Sequence, residues 1–215
     1  MVALPIAKPL HALQLAPGSL VTISGVSWDD YETLLVETGD RSGTRIFYSD
    51  GTLELMSPLP EHEIPCDVLA DGVKLLFKRA KIPNQPFGST TFKRLGIAGV
   101  EPDACFYIQN MSCMIGKRRL SPGDPPPDLA LETDVTSKTA LAAYEAIGVP
   151  ELWIYDSGVL NLYELRDGKY SAIDRSPIFP DLDLRVLLPQ LIDRAWAIGS
   201  YAALEEFEKA LECFE

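Results

Sequence analysis

The chain has 215 residues, 47% hydrophobic and 23% charged, which fits one soluble globular domain with small appendages and excludes a fibrous or disordered class. No apolar run approaches the roughly 18–20 residues of a membrane span. With 31 acidic against 19 basic residues, the net charge of −12 excludes a nonspecific nucleic-acid coat but leaves room for a local basic strip.

Residues 1–24 read as a tail leading into a first short strand, because Met1 to Leu10 lacks a basic region followed by an uninterrupted apolar core. Ser27 with Asp30 forms a variant capping box and predicts a helix over roughly 27–38. Thr44–Ser49, the turn pair Asp50 and Gly51, and Thr52–Met56 predict a hairpin. A longer helix follows over about 61–79, with Pro65 tolerated in its first turn. Short strands are expected near 89–94, 103–108 and 129–135. A helix over 137–147 ends at Gly148, a natural left-handed stop. Strands at 151–155, 159–165 and 169–173 and helices at 184–193 and 199–213 complete the chain. The strand, helix, strand order from 129 to 155 predicts a crossover unit, hence an α/β fold with a central mixed sheet flanked by helices. The domain proper spans 25–198, and 199–215 is an acidic helix whose glutamates form a solvated face.

Two histidines, His11 and His62, give no cluster for a zinc site, and four scattered cysteines show no paired spacing. Reduced thiols in a cytoplasm are the expected state.

On a strand, residues two apart share a face at roughly 6.5–7 Å, so Glu132 and Asp134 look the same way. Asp103, heading its own strand after Pro102, joins them if the two strands are neighbours. Three carboxylates converging without a cation repel one another, whereas Mg²⁺ or Mn²⁺ takes oxygen ligands and removes that cost. Hydrolysis of phosphodiesters is the typical use of such a centre. Lys138 opens a helix, where a cation opposes the macrodipole; closeness to the acids would compensate and let its ammonium orient a water or stabilise the transition state. The same spacing also describes the wet face of a half-covered sheet, with Lys138 as a solvated first-turn residue.

These residues resemble the PD-(D/E)xK pattern of restriction-endonuclease-like nucleases. The ordered series Asp50–Pro58, Glu61–Glu63, Glu101–Asp103, Pro127–Glu132, Ser137–Lys138 and Tyr144–Trp153 is more specifically similar to the bacterial Uma-type endonuclease family. The resemblance covers roughly residues 25–175. It implies a restriction-endonuclease-like core with Asp103 and Glu132 as metal ligands, and Glu61 or Glu63 as a further acid. The superfamily's lysine belongs two residues after the second acid, where this chain has Asp134. Either Lys138 supplies the ammonium from the helix, or Asp134 makes a more acidic metal site, or the site is degenerate.

Glu54, between Leu53 and Leu55, is a surface residue of the hairpin or an acid aimed at the cleft. His62 is a base near the site or a hydrogen-bonded structural residue. Lys117, Arg118 and Arg119 either grip DNA phosphates or are ordinary surface charge. A duplex-cutting nuclease is expected as a C2 dimer, with apolar hairpins around 151–165 as the interface. Two function classes therefore stand: a metal-dependent endonuclease acting on DNA, and a non-catalytic relative of that fold serving as a protein-interaction or assembly module. A two-carboxylate glycoside hydrolase fits less well, since no tryptophan reads as a sugar platform.

Overall fold

The computed structural model describes residues 15–38, 44–57, 59, 61, 63–88, 90–121, 123–133 and 137–212. In chain order the first elements are β1 (Leu20–Ser24), α1 (Trp28–Thr38), β2 (Arg45–Ser49), β3 (Thr52–Met56) and α2 (Glu63–Ala80). They are followed by β4 (Gln85–Pro86), β5 (Phe92–Arg94), β6 (Ala98–Val100), β7 (Ala104–Tyr107) and α3 (Met111–Met114). The last are β8 (Leu129–Thr133), α4 (Lys138–Ile147), β9 (Glu151–Asp156), β10 (Val159–Arg166), β11 (Lys169–Ile173), α5 (Leu184–Ile198) and α6 (Ser200–Glu212). No helix among the described residues is long and apolar enough to cross a membrane.

Local chemistry accounts for the best-defined boundaries. The Ser27 hydroxyl accepts from the Asp30 amide at 3.1 Å and donates to the Asp30 carboxylate at 2.6 Å, so the capping box closes on itself. Between β2 and β3 both turn residues, Asp50 and Gly51, have positive φ (47° and 79°), the backbone of a two-residue hairpin that matches strand twist. The Ser137 side chain caps α4 by accepting from the Ala140 amide at 3.0 Å, and Gly148, with φ 88°, ends it.

Two sheets form, where the sequence reading anticipated one. The first is antiparallel in the order β1-β3-β2-β6-β5. The second, β11-β10-β9-β8-β7-β4, is mixed, since β8 and β9 run parallel across the α4 crossover. The hairpin goes to its own sheet because both of its faces find cover. Ile46, Tyr48, Leu53 and Leu55 pack under α1 with Tyr31 and Leu34. Phe47 looks the other way, into a core shared by Ala140, Ala143 and Tyr144 of α4 with Cys105, Ala130 and Leu152 of the second sheet. The small alanines let α4 lie between the sheets. On the far face of the second sheet, Leu129, Leu131 and Trp153 pack against α2, α5 and α6.

Two surface expectations change. Glu54 is only 4% exposed, because its face of the hairpin is the α4 face. The β9–β10 segment is not an open apolar hairpin either: Glu151 to Tyr155 are all buried, and β10 lies between β9 and β11.

Among the described glycines, Gly99 of β6 leaves the least room for a side chain. A Cβ there would overlap the Tyr31 hydroxyl and lie 2.5 Å from its Cζ. Tyr31 is fully buried and stacked on Tyr48 at 4.8 Å, so it has nowhere to go. Gly99→Ala should lower unfolding free energy by about 1–3 kcal/mol in urea titration. Adding Tyr31→Phe, which removes the nearest atom, should recover part of that loss; a wild-type midpoint for Gly99→Ala would contradict this packing.

Candidate functional site

The site lies where the two sheets face each other across the N-terminal end of α4. Pro102 leads into β7 and sets Asp103 just ahead of Ala104. On β8, Leu129 and Leu131 enter the core under α2 while Ala130 enters the α4 core, so strand alternation turns Glu132 to the α4 side. β7 and β8 are antiparallel neighbours, with Ala104 opposite Leu131. The two acids therefore come from adjacent strand ends.

Arg45, at the start of β2 in the opposite sheet, meets both of them. Its Nη2 pairs with Asp103 Oδ1, and its Nη1 lies 3.6 Å from Glu132 Oε2 and donates to the Thr133 carbonyl at 3.0 Å. Asp103 Oδ2 accepts from the Thr133 amide and hydroxyl, each at 2.8 Å. Glu132 Oε1 accepts from the Tyr144 hydroxyl. Among the described residues, Glu132 Oε2 is buried and finds no hydrogen-bond partner. Side-chain exposure is 0% for Glu132, 7% for Asp103 and 16% for Arg45, so the arginine is the group nearest solvent.

Burial dominates the proton affinities. It lifts Glu132 well above the usual carboxyl range, Asp103 adds repulsion, and Arg45 and the Tyr144 hydroxyl only partly oppose this. Asp103 is raised by burial too, against the pull of Arg45 and the Thr133 donors. Burial lowers the Arg45 value, but the two acids outweigh it and leave the guanidinium above its ordinary range. Tyr144 is held well above its usual value by burial and by Glu132. The Cys66 thiol of α2 is pushed up to about 12 by burial and by Asp103, so it is no thiolate nucleophile.

Of the residues expected from sequence, Asp103 and Glu132 come together. Lys138, first residue of α4, is exposed and pairs with neither acid. Asp134 and His62 lie outside the described residues. Among the described residues no group of three or more His, Cys, Asp or Glu side chains is arranged to hold a metal; the acids form a pair around Arg45. Glu61 and Glu63 are exposed. Glu63 contributes charge at Cys66, as does Asp103, which sets the first turn of α2 beside the site. Glu54 accepts from Ser137, the cap of α4. Asp128 accepts from the Ile108 and Gln109 amides at 2.6 and 3.0 Å and so secures the end of β7.

Arg45 and Tyr144 were missed by sequence reasoning. The available signal was an arginine on the Phe47 face of an otherwise apolar strand, and a tyrosine within the buried stripe of α4. Lys117 is paired with Asp124. Arg118 and Arg119 are exposed and line a cleft of about 960 Å³ that runs past Thr44 and Glu101, two residues flanking the site.

Comparisons with known proteins give a family and a fold. The sequence model of the family described as "Uma2: Putative restriction endonuclease" matches residues 28–195. Among solved structures, the fold is similar to the "Crystal structure of a putative nuclease belonging to DUF820" from Anabaena variabilis ATCC 29413. That likeness has a TM-score of 0.50 at 15% identity, covers 83% of this chain and 99% of that one, and speaks for the fold alone. No curated protein matches the chain.

The raised Glu132 carboxyl gives a pH dependence of definite sign. Its folded value exceeds the ordinary 4.5, so the folded state holds a proton that the unfolded state releases. That contribution to stability is complete below about 4.5 and is lost as pH rises through the folded value. In metal-free buffer, Glu132→Gln should remove up to about 1.4 kcal/mol per pH unit from the downward slope of unfolding free energy between about 4.5 and the folded value. Urea unfolding at a series of pH values measures it, and an unchanged slope would contradict the buried, proton-hungry Glu132.

Proposed function

The chain belongs to the Uma2 family, described as "Putative restriction endonuclease", and from that membership we propose that it is a divalent-cation-dependent endonuclease hydrolysing DNA phosphodiester bonds. One observation carries the reading: two buried carboxylates from adjacent strand ends converge on one point, and Glu132 Oε2 has no hydrogen-bond partner among the described residues. An orphaned buried carboxylate oxygen beside a second carboxylate suits a hard cation, which takes oxygen ligands. Asp103 and Glu132 would hold Mg²⁺ or Mn²⁺, with Asp134 as a further candidate. When bound, such an ion polarises a phosphoryl oxygen and acidifies a water.

The chain's own residues have separable tasks. Thr133 fixes Asp103 through two donors, and Tyr144 fixes Glu132 through one, so each acid keeps one oxygen anchored and presents the other. The low-dielectric seam between the sheets strengthens any charge interaction made there. Arg118 and Arg119 give the cleft two unpaired guanidinium groups for backbone phosphates, which offsets locally the −12 of the whole chain. Lys138, exposed beside the site on α4, is assigned to the substrate rather than to the acids. A homodimer would place two such centres on the two strands of a duplex.

A second reading is favoured by Arg45. A guanidinium between the acids and a lysine turned to solvent also describe a fold relative kept as an assembly module. The two readings separate on metal. The endonuclease reading predicts that supercoiled DNA is nicked with Mg²⁺ or Mn²⁺, that EDTA stops cleavage, and that Asp103→Asn or Glu132→Gln lowers the rate by about 10²-fold or more. Gel assay of the purified chain and both variants reads this out. Cleavage indifferent to EDTA, or retained in both variants, would overturn it.

A further inference from the structure

We propose that Arg45 is the built-in counter-ion of the metal site, a competitor that a divalent cation must displace, and hence the residue that sets the affinity of Asp103 and Glu132 for metal. The inference rests on reading those two acids as metal ligands.

Its ground is the division of labour among four carboxylate oxygens. Asp103 Oδ2 is held by the Thr133 amide and hydroxyl, and Glu132 Oε1 by the Tyr144 hydroxyl. The remaining two, Asp103 Oδ1 and Glu132 Oε2, are the ones that face Arg45. Neither acid depends on Arg45 for its orientation, so withdrawal of the guanidinium leaves both poised with one free oxygen each.

Arg45 is also a poor match for the place it fills. It bonds Asp103 closely and its Nη1 donates to the Thr133 carbonyl at 3.0 Å, but it stands 3.6 Å from Glu132 Oε2, beyond hydrogen-bond reach. Among the described residues, Glu132 Oε2 is left with no hydrogen-bond partner. One positive charge serves two acids, whereas a divalent ion balances both. Arg45 comes from the first sheet while both acids come from the second, and it retains 16% exposure. Removing it requires rotation of one long side chain and no movement of strands. Without metal, the guanidinium balances the buried charge of Asp103, and that of Glu132 once it ionises.

The test is Mn²⁺ binding, read from the electron paramagnetic resonance signal of the free ion, on the full chain without DNA. Arg45→Met should bind Mn²⁺ on the order of tenfold or more tighter than the wild type, since the competing charge is gone. Its melting temperature should fall in EDTA and recover with Mn²⁺ by more than that of the wild type. Adding Glu132→Gln should abolish the gain. Should Arg45→Met fail to fold, Arg45→Lys carries the test: one ammonium cannot span both acids and the Thr133 carbonyl, so its Mn²⁺ affinity should still exceed that of the wild type. Equal or weaker Mn²⁺ binding in these variants, with measurable binding in the wild type, overturns the competitor role and leaves the metal site standing. Absence of Mn²⁺ binding in all of them overturns both.

Discussion

Two carboxylates are buried together in a seam that water barely reaches, and one arginine from the facing sheet stands between them. Most of the fold that bears on function can be understood as the means of achieving this. Removing one partner of a buried ion pair costs about 3–5 kcal/mol, because it strands the other charge. The chain therefore has to deliver Arg45, Asp103 and Glu132 to one point reliably. Arg45 arrives on a hairpin whose register is pinned by the Asp50–Gly51 turn. Asp103 arrives at the head of β7, and Glu132 arrives by strand alternation on β8, opposite it in the same ladder.

Helix α4 ties these deliveries together. It crosses from β8 to β9 and lies between the sheets, with alanines where close approach is needed. Ser137 at its start meets Glu54 of the hairpin, and Tyr144 two turns on meets Glu132. Glu54 thus sits at the helix N-terminus, where a negative charge is favoured. Of the stretches that resemble the family, those carrying Glu54, Asp103, Glu132, Ser137 and Tyr144 converge here.

Much of this was legible in the sequence because its code is local. The capping box at Ser27, the hairpin turn and the stop of α4 at Gly148 each involve residues a few positions apart, and each forms as expected. The parallel pairing of β8 and β9 followed from the helix between them. The parts not legible depend on distant contacts. Arg45 acquires its meaning only when β2 faces β7 and β8 across α4, and nothing near Arg45 in the chain announces that. The second sheet was hidden because a hairpin covered on one face and a hairpin covered on both share the same alternation until their neighbours are known. Glu54 was open to a surface reading for that reason. The short β4 and β6 and the single-turn α3 carry too little periodicity to be seen. Lys138 is the converse case: it is close to Glu132 in sequence, but the start of α4 turns it to solvent and it pairs with neither acid.

The claim beneath all of this is that the two free carboxylate oxygens form one cation site now held by a guanidinium. A crystal grown with Mn²⁺ and measured for anomalous scattering tests it most directly. The account predicts a single strong peak within coordinating distance of the Asp103 and Glu132 carboxylates, with the Arg45 side chain swung away. A crystal with Arg45 still bridging the two acids, and the ion elsewhere or absent, would contradict it.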